Sequence, residues 1–210
     1  KEKGGSFCSR IVVSITYPLT FPTTTFPVTQ TWSIKRQVGV SESPFTGTQQ
    51  TVEFDYAKWQ VTVSMPPVRG TTATELTSFL TKLHGRRGTF LMGDADRRTP
   101  QNSISGDVQV DGNFSVGDAV ISITGTTAFS QGDMIQIGSS SAARLYMVIS
   151  NQSGSSSIQI EPKLKNAVSN DQTIVYTNPK GIFRMDANTQ SWDTNVVSNY
   201  GISFSCTEVD

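Results

Sequence analysis

The sequence predicts a mainly β protein with one α-helix and a small β-barrel set into the chain, and three observations carry that expectation. Charged side chains make up only 16% of the 210 residues, while Ser, Thr, Gly, Asn and Gln recur throughout, the composition of a turn-rich β chain. Apolar residues alternate with polar ones at the two-residue period of a half-buried strand. Helical spacing occurs once. At 22.8 kDa, the chain is long enough to bury a core as one large β domain or two small ones.

Taken in order, Trp32, Ile34, Val38 and Val40 share one parity and predict a strand with one buried face. Ser43-Pro-Phe-Thr-Gly47 ends it in a turn. Val52, Phe54 and Tyr56 then lie on one parity and Trp59, Val61, Val63 and Met65 on the other, so a bulge is expected near Ala57-Lys58. Met65-Pro-Pro67 closes this strand, because proline cannot donate to the ladder. Thr72 and Glu75 have capping-box spacing ahead of Leu76, Phe79, Leu80 and Leu83, which fall on one helical face. Gly85 and Gly88 are placed to end that helix, and Thr89 to Met92 reads as a further strand.

Residues 101–180 form an inserted unit. They hold four basic side chains (Arg144, Lys163, Lys165, Lys180) and six acidic ones (Asp107, Asp111, Asp118, Asp133, Glu161, Asp171), against an overall balance of 17 and 17. Short β-rich runs recur there, at 108–110, 119–123, 134–137, 144–149, 156–160 and 173–176, as expected of a small barrel of which the OB type is one form. Phe114-Ser-Val-Gly-Asp118 and Phe129-Ser-Gln-Gly-Asp133 repeat each other and are read as two similar turns, since two aspartates alone do not make a calcium site. Strands at 181–185 and 200–208 need a sheet to join. The simplest topology returns them to the first module, giving 1–100 plus 181–210 as one domain and 101–180 as an insertion in a surface loop.

Composition argues against several functions. Formal charge sums to zero, so the global field that draws non-specific nucleic-acid or membrane binders is missing. Neither a signal peptide nor an apolar membrane span is read, and a soluble chain that stays where it is made is expected. Cys8 and Cys206 are expected to be reduced. No catalytic, cofactor or metal site is expected: one histidine and two cysteines cannot assemble the usual zinc sets, and nucleophile-elbow, phosphate-loop and dinucleotide fingerprints are missing. His84 follows a helix end, where interaction with the dipole explains it.

Three segments, Thr16-Tyr-Pro-Leu-Thr-Phe-Pro-Thr23, Val40-Ser-Glu-Ser-Pro-Phe-Thr-Gly-Thr-Gln-Gln50 and His84-Gly-Arg-Arg-Gly-Thr-Phe-Leu-Met-Gly-Asp94, carry a family resemblance, with Arg144-Leu-Tyr-Met-Val148 and Asn178-Pro-Lys-Gly-Ile-Phe-Arg184 continuing it. Together they resemble the distal tail proteins of long-tailed bacteriophages, the siphophages, in a pattern of segments from about Thr16 to Glu208. The resemblance implies a β-sandwich with one helix, carrying an inserted OB-like barrel. It further implies a homo-hexameric ring in the virion, assembled in the host cytoplasm, that joins the tail tube protein to the tail-tip hub or baseplate, with the tape measure protein as a further neighbour. The stretch before Thr16 exceeds the family pattern and is read as an arm that pairs with a neighbouring subunit.

Candidate subunit-interface residues are Arg86, Arg87, Asp94, Asp96, Arg97 and Arg98. Arginine holds carboxylates bidentately and is enriched at interfaces, and a head-to-tail ring brings two different patches together at every junction. Local pairing with Asp94 and Asp96 is the plainer explanation of the same charges. Two alternatives stand beside the ring: weak glycan binding by the inserted barrel as a host-adhesion module, and another tail-tube or tail-tip structural role.

Overall fold

A computed structural model describes residues 14–124, 128–152, 156–195 and 199–209. In chain order the elements are β1 (Leu19–Thr20), β2 (Thr29–Glu42), β3 (Gln49–Ser64), α1 (Gly70–Lys82), β4 (Thr89–Met92), β5 (Val108–Gln109), β6 (Val120–Ser122), β7 (Met134–Ile137), β8 (Arg144–Val148), β9 (Ser157–Glu161), β10 (Thr173–Val175), β11 (Gly181–Met185), β12 (Trp192–Thr194) and β13 (Tyr200–Glu208). The protein is mainly β, as its composition and period-two patterning predict. The expected arm before Thr16 lies almost wholly outside the described residues.

Seven strands make the first sheet, in the order β1-β4-β11-β13-β3-β2 with β12 added beside β13. Trp59, Val61 and Val63 of β3 and Ile202, Phe204 and Cys206 of β13 point to one face and are buried. Helix α1 lays Ala73, Leu76, Phe79 and Leu80 onto the same core. Burial of such side chains stabilises by roughly 1.5–3 kcal/mol each, and edge-to-face ring pairs, Phe79 with Phe90 at 5.5 Å and Trp32 with Trp59 at 5.9 Å, lock their orientation. The opposite face is rich in hydroxyls: Thr31, Thr62 and Ser205 stand abreast across three strands.

The helix begins differently from its sequence signal. Arg69 occupies the N-cap without a side-chain cap bond, so Thr72 already lies inside the first turn and the Thr72–Glu75 box does not form. Glu75 Oε2 instead accepts a hydrogen bond from Thr24 Oγ1 at 2.7 Å. At the other end Leu83 is the C-cap and His84, at φ +50°, is the first left-handed residue, so the helix stops one residue before the expected Gly85, which continues the turn at φ +66°.

The second sheet has six strands, β5-β10-β7-β8-β9-β6, all from within 101–180. A bridge between Val110 and Ile123, just beyond β5 and β6, links its two edges, which gives the sheet its barrel-like curl. Its core holds Val108, Ile121, Ile135, Tyr146, Val148, Ile158 and Ile160. The two Gly-Asp turns share one construction: Asp118 Oδ2 accepts from Ser115 N–H and Asp133 Oδ2 from Ser130 N–H, each at 2.8 Å. Their likeness is turn chemistry.

The sheets are joined through side chains as well as through the chain. Leu145 and Met134, from strands of the second sheet, pack in the core of the first. Trp59 Nε1–H donates to Leu145 O at 3.0 Å, and Lys165 Nζ reaches Glu208 Oε2 at 2.7 Å. The chain leaves and re-enters the first region at one point, where a Cβ on Gly93 would lie 2.1 Å from Pro179 O.

Candidate functional site

The hairpin of β2 and β3 outruns the sheet that supports it. Strand β13 pairs with β3 only between Gln60 and Ser64, whereas β2 pairs with β3 all the way to Glu42 and Gln49. Beyond Gln60 the hairpin therefore has no third strand. The register jumps there, with Arg36 opposite Ala57 and Gln37 opposite Phe54, leaving Asp55 and Tyr56 over as a bulge two residues before the expected position.

Past the bulge the expected buried face does not exist. Val38, Val40, Val52, Phe54 and Tyr56 are exposed, and Phe45 at the hairpin tip is 95% exposed. Trp32 and Ile34, on the same parity as Val38 and Val40, are half-buried because their part of β2 lies over the core. Alternation along a strand reports that one face differs from the other, and burial still requires a layer to cover it. Cross-strand pairing puts Val38 with Glu53 and Phe54 with Gln37, so the apolar side chains occur on both faces of the arm. A two-stranded ribbon carrying exposed rings and valines on both faces has the properties of an unfilled interface. The sequence signal that could have located it is Phe45, a large apolar residue inside a Pro-Phe-Thr-Gly turn.

At the root of the arm charges gather against the second sheet. Arg36 Nη2 lies 3.0 Å from Glu161 Oε1 and its Nη1 lies 3.4 Å from Glu53 Oε1. Lys163 Nζ pairs with the Asp55 carboxylate, which holds the ammonium above its ordinary pKa. Between these contacts opens a cleft of about 440 Å³, lined on one side by Phe54 and Tyr56 and on the other by Val116, Gly117 and Ala119. Deeper in, burial pushes the Glu208 carboxyl above the glutamate range against the opposing pull of Lys165.

The six candidate interface residues fall at opposite ends of β4. Arg86 and Arg87 are exposed in the turn after α1, where Arg86 N–H donates to Asn188 Oδ1 at 3.3 Å. Asp94 Oδ1 accepts from Asp96 N–H at 2.9 Å, with Arg97 Nε 4.0 Å from Asp94 Oδ2, so part of this second cluster is satisfied locally. Arg98 covers the ring of Phe26 at 4.0 Å, beside the exposed Val28. The two clusters are not brought together.

Among the described residues, no three His, Cys, Asp or Glu side chains converge as a metal-binding group, and no helix is long and apolar enough to cross a membrane. Comparison of the chain with models of known families and with curated proteins finds no match.

Proposed function

We propose that this protein is a structural subunit of a long-tailed phage tail, a distal tail protein whose copies close a hexameric ring between the tail tube and the tail-tip hub or baseplate. The observation that carries the reading is the hairpin arm, with Phe45, Val40 and Phe54 exposed beyond the sheet. Such side chains gain by leaving water, and a neighbouring copy offers each arm an equivalent seat, which is how a head-to-tail ring closes. The mechanism is geometric: repeated contacts hold a collar that aligns tube and tip.

Carbohydrate binding by the barrel has less to stand on. Stacking on a sugar needs an aromatic face turned to solvent. Phe129 and Tyr146 are buried, and Phe114 and Tyr176 pack against the barrel core.

Mass measurement and negative-stain imaging of the full chain, alone and mixed with tail-tube protein, test the reading. A ring of six copies is expected. A monomer under both conditions would overturn it, as would a ring that persists unchanged when Phe45→Ser and Phe54→Ser are combined in a folded protein.

A further inference from the structure

We propose that the inserted barrel serves as an electrostatic buttress for the hairpin arm, fixing the angle at which the arm leaves the sheet. The consequence for a ring rests on the function proposed above, while the buttress itself is a property of a single copy.

The need for a support follows from the ladder. Up to Gln60 the hairpin is held by β13 and by the core beneath Trp59 and Val61. Past that point it is a two-stranded ribbon, which is marginal on its own, and it carries a bulge at its root, where ribbons bend. Within the hairpin the charge pair across the bend is Arg36 with Glu53, at 3.4 Å and with both side chains exposed.

The barrel touches the ribbon at that root. Glu161, the last residue of β9, is opposite Met147 of β8 and so is fixed in the barrel sheet. Its carboxylate holds the Arg36 guanidinium, from the β2 side of the bulge. Lys163, two residues on, holds Asp55, one of the two leftover residues on the β3 side. One corner of the barrel thus grips both strands of the hairpin where the register jumps. The barrel is itself anchored through Lys165 to Glu208 and through Leu145 to Trp59. The open cleft beyond the grip leaves space for the arm to swing when it is released.

Chemistry sets how firm the hold is. The side chains of Arg36 and Lys163 are 41% and 45% exposed, so each pair is weak and screened by salt. The arm is therefore biased towards one direction, and the bias is lost when the charges are removed or the ionic strength is raised.

The test is a distance measurement by electron–electron resonance between spin labels at Thr46→Cys, on the arm tip, and Thr71→Cys, on α1, in a Cys8→Ser background. Labelled protein is diluted with unlabelled protein so that only distances within one copy are read. A narrow distribution is expected at low salt, broadening at least about twofold in roughly 1 M NaCl, where the screening length falls to about 3 Å. The pair Glu161→Gln with Lys163→Met should produce the same broadening at low salt, while Glu53→Gln, which removes only the partner within the arm, should leave it narrow. A distribution unmoved by both salt and the double substitution would overturn the proposal, and the salt series needs no substitution in the ion pairs. Loss of the ring with a salt-sensitive arm angle would count against the function proposed above and leave the buttress standing.

Discussion

Lys165 and Glu208 show what a buried charge does in this chain. The Glu208 side chain is fully inaccessible, accepts from Trp59 N–H at 3.2 Å, and leaves Oε1 without a protein partner. Because its folded pKa is raised, its contribution to stability is greatest below the ordinary glutamate pKa and is lost as pH rises towards the folded value. Removing the cation should push the carboxyl further up. Lys165→Met is expected to cost about 3–5 kcal/mol where the carboxyl is ionised and less as pH falls and the carboxyl takes a proton; urea unfolding across a pH series checks the sign. Gly93 makes a steric case: with Pro179 O 2.1 Å from where a Cβ would stand, Gly93→Ala must separate two backbones at the root of the barrel. A loss of roughly 2 kcal/mol or more in thermal unfolding is expected. That contact was illegible in the sequence, because Gly93 and Pro179 meet only when the strands flanking them, β4 and β11, lie side by side.

At the scale of elements the arm dominates. Its strands were legible from alternation and its turn from Ser43-Pro-Phe-Thr-Gly47, but its exposure was not, since β13 stops short of it. Phe45→Ser should leave the unfolding free energy within about 0.5 kcal/mol of the parent, as for an exposed site, while weakening self-association in sedimentation velocity. Equal association would mean the tip contributes nothing to contacts between copies. Arg86 and Arg87 can be tested the same way, being exposed and away from the core. Arg86→Glu with Arg87→Glu is expected to slow or weaken ring closure with no change in fold, and unchanged assembly would return both to an ordinary solvated turn. In α1 the apolar face was legible and its start was not: the capping-box spacing of Thr72 and Glu75 is present, yet the chain enters helix at Gly70.

At the scale of the whole molecule the two sheets share a core and polar contacts. Leu145 belongs to a barrel strand and is fully buried in the core of the first sheet. Leu145→Ala should therefore cost about 3 kcal/mol and destabilise both regions together, seen as one cooperative transition by near-ultraviolet circular dichroism and by far-ultraviolet signal. Two separated transitions would show that the sheets fold independently. The sequence by itself determined the mainly β class, the single helix, most of the strands and the paired Gly-Asp turns, because period, turn chemistry and proline act over a few neighbouring residues. Only the tertiary structure decided that the hairpin carries exposed valines and rings on both faces, that Glu161 and Lys163 grip its root, and that Glu208 is buried against Lys165. Those outcomes depend on where β13 ends and on which surfaces the second sheet covers, and both are set by contacts between residues far apart in the chain.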